Sequence, residues 1–293
     1  MTTAIVPSKF IQSTLYDHEE ESNLFNYETT EPIKLETSLE NSFTGEEIQI
    51  LIAIFKEAGF NKHKDRGQGF GPTAFFKSLR NLGAIAFNKP SNKLSGAEKK
   101  SLETVQQPRP IIFKERISGR SLKLLSTDAP IKISKTKNGI KVEIHSPWLK
   151  YSNSYKVLPL GIAELLRSTG VRIVTTPQIK FMVWCSFHLT NKPKSYDTSK
   201  IMKAIGLGHY FKNRNGHRAR KILAQSIQTM HKLGFITEPK FLSSDNILLG
   251  AGVKVGSIDA KVGSIDALAK SNILEFSTET YVSRQYKNVR KSS

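Results

Sequence analysis

The stretch "NRNGHRARKILAQSIQTMHKLGFI", residues 213–236, fixes more of this chain than any other segment. Ile222, Leu223, Ile227, Met230 and Leu233 recur at three- and four-residue steps, the spacing that puts side chains on one face of an α-helix. Arg218, Lys221, Gln225, Gln228 and Lys232 follow the same steps on another side. Such a helix buries one face and presents a basic, amide-bearing stripe on the other, and Gly234 marks its end.

The sequence around it supplies a small domain. "TPQIKFMVWCSFHLTNK" is expected to be a mostly buried helix opened by Thr176, with Pro177 at its first position. "DTSKIMKAIGL" reads as a short helix with Ile201, Met202, Ile205 and Leu207 inward. "FITEP", "NILLG" and "NILEFS" are candidate strands after the long helix. Three helices followed by a strand ribbon is the order of a winged helix. A tandem duplication, "KVGSIDAKVGSIDA" at 254–267, falls between two of these strands and reads as a tolerated loop insertion.

Length and pattern predict a further unit ahead of this one. Thr44 caps a helix over "GEEIQILIAIFKEAGF", with Glu47 at the capping-box position and Gly59 as its stop. After the loop "DRGQGFGP", a second helix is expected over "TAFFKSLRNLG", with Phe75, Phe76, Leu79 and Leu82 as its core face. A polar segment, 88–110, separates this pair from β-like runs: "PIIFKER", "SLKLLS", "PIKISK" and "GIKVEIHSP", with a "KNG" turn. A helix at "LPLGIAELLRS" follows. The expected fold is α+β, mainly helical, with two tandem winged-helix units, small β-ribbons and disordered termini. The expected division is an acidic flexible tail at 1–41, a first unit at 42–158, a second, DNA-binding unit at 159–283 and a basic tail at 284–293.

Charge narrows the partner. The chain carries a formal net charge of +19, yet residues 1–47 hold ten Asp/Glu against Lys9 and Lys34, so the remaining 246 residues carry +27. A folded body so charged repels itself and is suited to a polyanion. In helix-turn-helix recognition Arg meets guanine O6 and N7 with two donors, Gln pairs two-fold with adenine, and Lys takes backbone phosphates. Arg214, His217, Arg218, Lys221 and Gln225 hold these chemistries at the start of the long helix, and Lys200 and Lys203 lie on the short helix before it. From Lys194 to Lys221 there are eight Lys/Arg against one acid, Asp197. The plainer alternative is a solvated face of an ordinary helix. In the first unit Lys77, Arg80 and Asn81 project away from the Phe/Leu face, as a second DNA-facing helix or as part of a dimerisation module.

Catalytic signatures are missing. "GQGFGP" lacks the Gly-Lys-Ser/Thr ending of a phosphate loop, and no HxH, HExxH or GxSxG occurs. Acids are sparse after residue 47, and the one cysteine, Cys185, sits in apolar "FMVWCSF". No catalytic residue, metal ligand or cofactor is expected. The start lacks the layout of a secretory signal and no apolar run approaches a membrane span, so a cytoplasmic, DNA-associated protein with no membrane partner is expected.

The layout resembles plasmid-type replication initiators built from two tandem winged helices. The segment "VEIHSPWLKYSNSYKVLPLGIAELL" carries the resemblance, with Ile144, Trp148, Tyr155, Val157, Leu158 and Pro159 in a strand, aromatic turn, "LP" and helix succession. The resemblance implies a prokaryotic protein that binds repeated double-stranded origin sites and recruits host replication proteins. It also implies exchange between a homodimer and a DNA-binding monomer. Carried onto this sequence, the helix from Arg214 to Lys232 would read the major groove. A winged-helix transcription regulator and a DNA-processing enzyme (nicking or transposition) are the alternatives.

Overall fold

The computed structural model describes residues 2–15, 24–26, 32–33, 43–59, 73–117, 120–150, 152, 154–190, 192–212, 215–237, 239–242 and 245–252. Helices and strands are mixed, and the chain divides into two compact units with the boundary between Leu165 and Leu166. No helix among the described residues is long and apolar enough to cross a membrane.

The first unit begins with β1 (Thr3–Pro7) and α1 (Ser8–Leu15). These residues were expected to belong to a flexible acidic tail, and that expectation is corrected here. β1 pairs antiparallel with β9 (Tyr155–Pro159), and Phe10, Ile11 and Leu15 of α1 are buried. Phe10 packs against Phe55 and Trp148 with ring centroids 5.0 and 5.3 Å apart. Trp148 belongs to α5 (Ser146–Lys150), and its indole Nε1 donates to Ser13 Oγ at 2.9 Å. The acids that gave the segment its disordered look begin only at Asp17.

Then come β2 (Leu24–Asn26), β3 (Pro32–Ile33), α2 (Gly45–Ala58), β4 (Thr73–Phe76), α3 (Leu79–Phe87) and α4 (Gly96–Thr104). Four more strands follow: β5 (Ile111–Ile117), β6 (Arg120–Ser126), β7 (Ile131–Thr136) and β8 (Gly139–Ile144). α5 and β9 come next, and α6 (Ile162–Arg167) reaches the unit boundary. One sheet runs β3-β2-β6-β5 and another β4-β8-β7. α2 opens as its sequence demands: the Thr44 side chain accepts from the Glu47 amide at 3.2 Å, and Glu47 Oε2 accepts from the Thr44 amide at 3.0 Å.

Two expectations for this unit fail. Residues 73–76 form a strand, and the helix starts only after Ser78, whose hydroxyl accepts from the Asn81 amide. Phe75 therefore faces solvent at 65% exposure while Phe76 is buried, the alternation of a strand. Pairing of Ala74 with Val142 outweighs the helical spacing of Phe75, Phe76, Leu79 and Leu82. The supposed separator at 88–110 contains α4, opened by a second capping box between Ser95 and Glu98. The "KNG" turn is where it was expected, joining β7 to β8. At Gly139, with φ of +138°, an added Cβ would stand 2.2 Å from the Phe76 carbonyl oxygen, so the close approach of β4 admits only glycine.

The second unit holds α7 (Thr176–His188), β10 (Lys194–Asp197), α8 (Thr198–Ala204), α9 (His209–Lys212), α10 (Gly216–Lys232), β11 (Lys240–Phe241) and β12 (Asn246–Leu249). The cap of α7 is Thr175 and not Thr176, and Gln178 Oε1 accepts from the Thr175 amide at 2.9 Å. Of the residues expected in the core of this unit, Ile201, Met202, Ile205, Leu207, Leu223, Ile227 and Met230 are buried, while Ile222 and Leu233 are half-buried. The sheet order is β10-β12-β11.

Each unit thus contains the succession helix, strand, two helices, two strands. In each the first strand pairs with the last, and the middle strand flanks the last on its other side. In the first unit the β5–β6 hairpin is inserted between the helices and the final strands; in the second, the one-turn α9 lies between α8 and α10. "NILEFS", the KVGSIDA duplication, the basic tail and "GQGFGP" lie outside the described residues.

Candidate nucleic-acid interface

α10 is amphipathic in the way its sequence implies. Ala219, Leu223, Ala224, Ile227 and Met230 are buried, whereas His217, Arg218, Lys221, Gln225 and Lys232 are exposed. From Arg218 to Lys232 the stripe spans about 21 Å at 1.5 Å per residue. Arg214 lies outside the described residues.

The placement of charge at the start of α10 runs against helix stability. Its first two turns carry His217, Arg218, Arg220 and Lys221 with no acid in the first turn, and the cap residue Asn215 makes no side-chain hydrogen bond. A cation in the first turn of a helix, here Arg218, is unfavourable by about 0.3–1 kcal/mol, an effect that fades beyond that turn. α2 differs at its start, with Glu46 and Glu47 in its first turn, while both helices carry basic residues in their last turn, Lys56 in α2 and His231 and Lys232 in α10. Among the described residues no carboxylate forms an ion pair with His217, Arg218, Lys221 or Lys232. The stripe is positive and uncompensated, and an anion at this end would offset the unfavourable placement.

Neighbouring elements hold the stripe in place. The Arg218 guanidinium lies 5.5 Å from the Tyr210 ring centroid, so α9 props the side chain at the helix start. Asp197, the one acid of this basic region, is consumed as the cap of α8: its Oδ1 accepts from the Ser199 amide at 2.7 Å and the Lys200 amide at 3.2 Å. The Ser199 hydroxyl bond and these amides hold its carboxyl below the usual range. Lys200 and Lys203 on α8 are exposed. The Thr198 amide and hydroxyl both donate to the Asp245 carbonyl, at 2.8 and 3.2 Å, which ties the β11–β12 hairpin to the start of α8.

The first unit is charged differently. Lys77 and Arg80 are exposed and Asn81 is half-buried, and all three sit at the start of α3, the second helix of the recurring succession. The third helix there is α4, which sequence reasoning missed. It is nine residues long and balances Lys99 and Lys100 against Glu98 and Glu103. Exposed basic side chains gather instead on the β7–β8 hairpin, at Lys132, Lys135 and Lys137. The two units share a connectivity and not a basic helix. The signal for α4 was the Ser95/Glu98 pair three residues apart, a capping-box spacing within an otherwise polar run.

Comparison with protein-family models, curated proteins and solved structures finds no match. The chemistry of the interface is read from its own residues. Away from the interface, Cys185 of α7 is buried, and burial pushes its thiol pKa well above its ordinary value. No group of three or more His, Cys, Asp or Glu among the described residues is placed to hold a metal.

Proposed function

We propose that this chain is a sequence-specific double-stranded DNA-binding protein in which α10 reads the major groove from a winged helix. The observation that carries this is the uncompensated stripe of Arg218, Lys221 and Gln225, which starts at the dipole-disfavoured end of a helix whose other face is buried. The succession of α7, β10, α8, α10, β11 and β12, with β10 paired to β12, supports the winged-helix reading. The same succession in the first unit supports a tandem pair. In this arrangement Lys200 and Lys203 meet backbone phosphates beside the groove. Lys77, Arg80, Asn81 and the β7–β8 hairpin of the first unit offer a second basic surface.

Among proteins built this way, the resemblance favours a replication initiator binding repeated origin sites and recruiting host factors. A transcription regulator using the same helix is the competing reading. It would prefer an inverted promoter repeat to a cluster of direct repeats.

The test begins with duplexes selected from a random pool by the full chain, followed by affinity measurements over a salt series. Arg218→Ala is expected to cost about 1–3 kcal/mol on the selected site and to relax preference at one base pair. Lys203→Ala is expected to weaken binding to selected and random duplexes alike and to reduce the salt slope by about one. Equal losses on both kinds of duplex for Arg218→Ala would remove α10 from base reading.

A further inference from the structure

Beyond the exposed half of α10, its C-terminal half borders a depression within the second unit. The lining comes from three places: the Thr169–Ile173 loop, Gln178 on α7, and Gln225, Gln228, Thr229 and Lys232 on α10. No carboxylate lines it. Gln178 is only 7% exposed, and its orientation is fixed by what it touches. The terminal atom that accepts from the Thr175 amide must be its oxygen, so the other is its NH2 group, a donor with no protein acceptor among the described residues. Thr229 spends its hydroxyl proton on the Gln225 carbonyl at 2.8 Å. What remains around the depression is the Gln178 NH2 group, two more glutamine amides and the Lys232 ammonium. That donor set suits an anion bearing several acceptor oxygens.

Geometry chooses among anions. Gln225 lies about 10 Å along the helix from Arg218 and Lys232 about 21 Å, while the major groove is about 12 Å wide. A helix that meets base edges with its first turns therefore has its last turns at the groove lip, where the sugar–phosphate backbone passes. We infer that the depression between α7 and the C-terminal half of α10 is a clamp for one DNA backbone phosphate flanking the bases read by Arg218. Gln178, Gln228 and Lys232 are its donors. The inference rests on the reading of α10 as the base-reading helix. On this view Gln225, whose sequence position suggested adenine pairing, stands at the edge between base and backbone.

The experiment uses the full chain and its selected duplex, with single methylphosphonates replacing phosphates one at a time along each strand. In wild type, one neutralised position at the site's edge should weaken binding, and Lys232→Ala should weaken unmodified duplex by roughly fivefold at about 0.15 M salt with the slope reduced by about one. In the Lys232→Ala, Gln228→Ala double variant the same methylphosphonate should then have little further effect, with base preference unchanged. If the double variant keeps the wild-type salt slope, or every methylphosphonate costs it as much as it costs wild type, the clamp is overturned while α10 recognition stands. If the depression instead contacts bases, the double variant changes base preference and the clamp is again overturned. If no duplex is selected by the wild-type chain, the proposed function itself fails first.

Discussion

Replacing Glu47 by alanine should destabilise the first unit by about 3–5 kcal/mol, a large share of the roughly 5–15 kcal/mol that holds a domain folded. Glu47 is 2% exposed in the first turn of α2 and carries more than its cap. Its two oxygens accept from both terminal nitrogens of Arg109, at 2.8 and 2.5 Å, and from the Thr104 hydroxyl at 2.8 Å. Arg109 also donates to the Thr104 carbonyl and lies 5.2 Å from the Phe43 ring centroid. Burial alone would raise the carboxyl's pKa; the guanidinium, the Thr44 amide and the Thr104 hydroxyl outweigh it and hold the group ionised. Removing the carboxylate leaves a largely buried cation without its partner, the costly half of breaking a buried pair. Glu47→Ala with Arg109→Leu should recover much of the loss. The measurement is urea unfolding followed by tryptophan fluorescence. Of the chain's two tryptophans, Trp148 lies in the first unit and Trp184 in the second, so a Trp184→Phe background isolates the signal. A loss under 1 kcal/mol would mean that water replaces the carboxylate and that the pair is not dry.

The second large effect is a dependence on pH. His145 is 5% exposed, sits edge-on to Trp148 with centroids 5.1 Å apart, and its Nε2 makes no hydrogen bond among the described residues. Burial pushes its pKa down from 6.5 to about 4, against the pull of Asp128 and aided by Lys132. The folded ring therefore resists a proton that the unfolded ring accepts. Its contribution to stability is complete above pH 6.5 and is lost as pH falls toward 4, by about 3 kcal/mol in all. Glu47 and Glu98, whose pKa values are lowered by their partners, begin to lose stability only below the ordinary carboxylate value of 4.5. The decline between pH 6.5 and 5 is thus assigned to His145. His145→Phe should flatten it, and a slope unchanged in that variant would assign the effect elsewhere.

How much of this was legible depended on whether local and tertiary forces agreed. α2 was readable because its capping box and apolar spacing point the same way, α10 from its apolar spacing and closing glycine, α7 from its apolar run and Pro177, and β5 to β8 because β-branched runs and the turn residues agree. The 73–83 stretch misled because Phe75, Phe76, Leu79 and Leu82 fit a helical face, while the partner that makes residues 73–76 a strand, β8, lies far along the chain. α4 offered only Glu98, Ser101 and Leu102 as an inward face, one apolar residue of three, too little for periodicity to register. β1 and α1 were lost to averaging, since their composition was pooled with the acidic residues that follow. In the candidate interface, residue types and spacing gave the stripe on α10. The hydrogen bonds that commit Asp197 to α8 and turn the Gln178 amide toward the depression depend on where backbone amides end up, which sequence spacing does not encode.

The pairing of β1 with β9 also bears on how the chain is made. Ser13 waits for an indole 135 residues further on, so α1 leaves the ribosome long before that partner does. At roughly 5–20 residues per second that interval is about 7–27 s, during which Phe10 has Phe55 but not yet Trp148 to pack against. α2 and the strands that follow can assemble in that time around a gap shaped for α1. A chain stalled before residue 159 therefore lacks both the strand that pairs with β1 and the indole that packs on Phe10, and would present these apolar residues to chaperones and proteases.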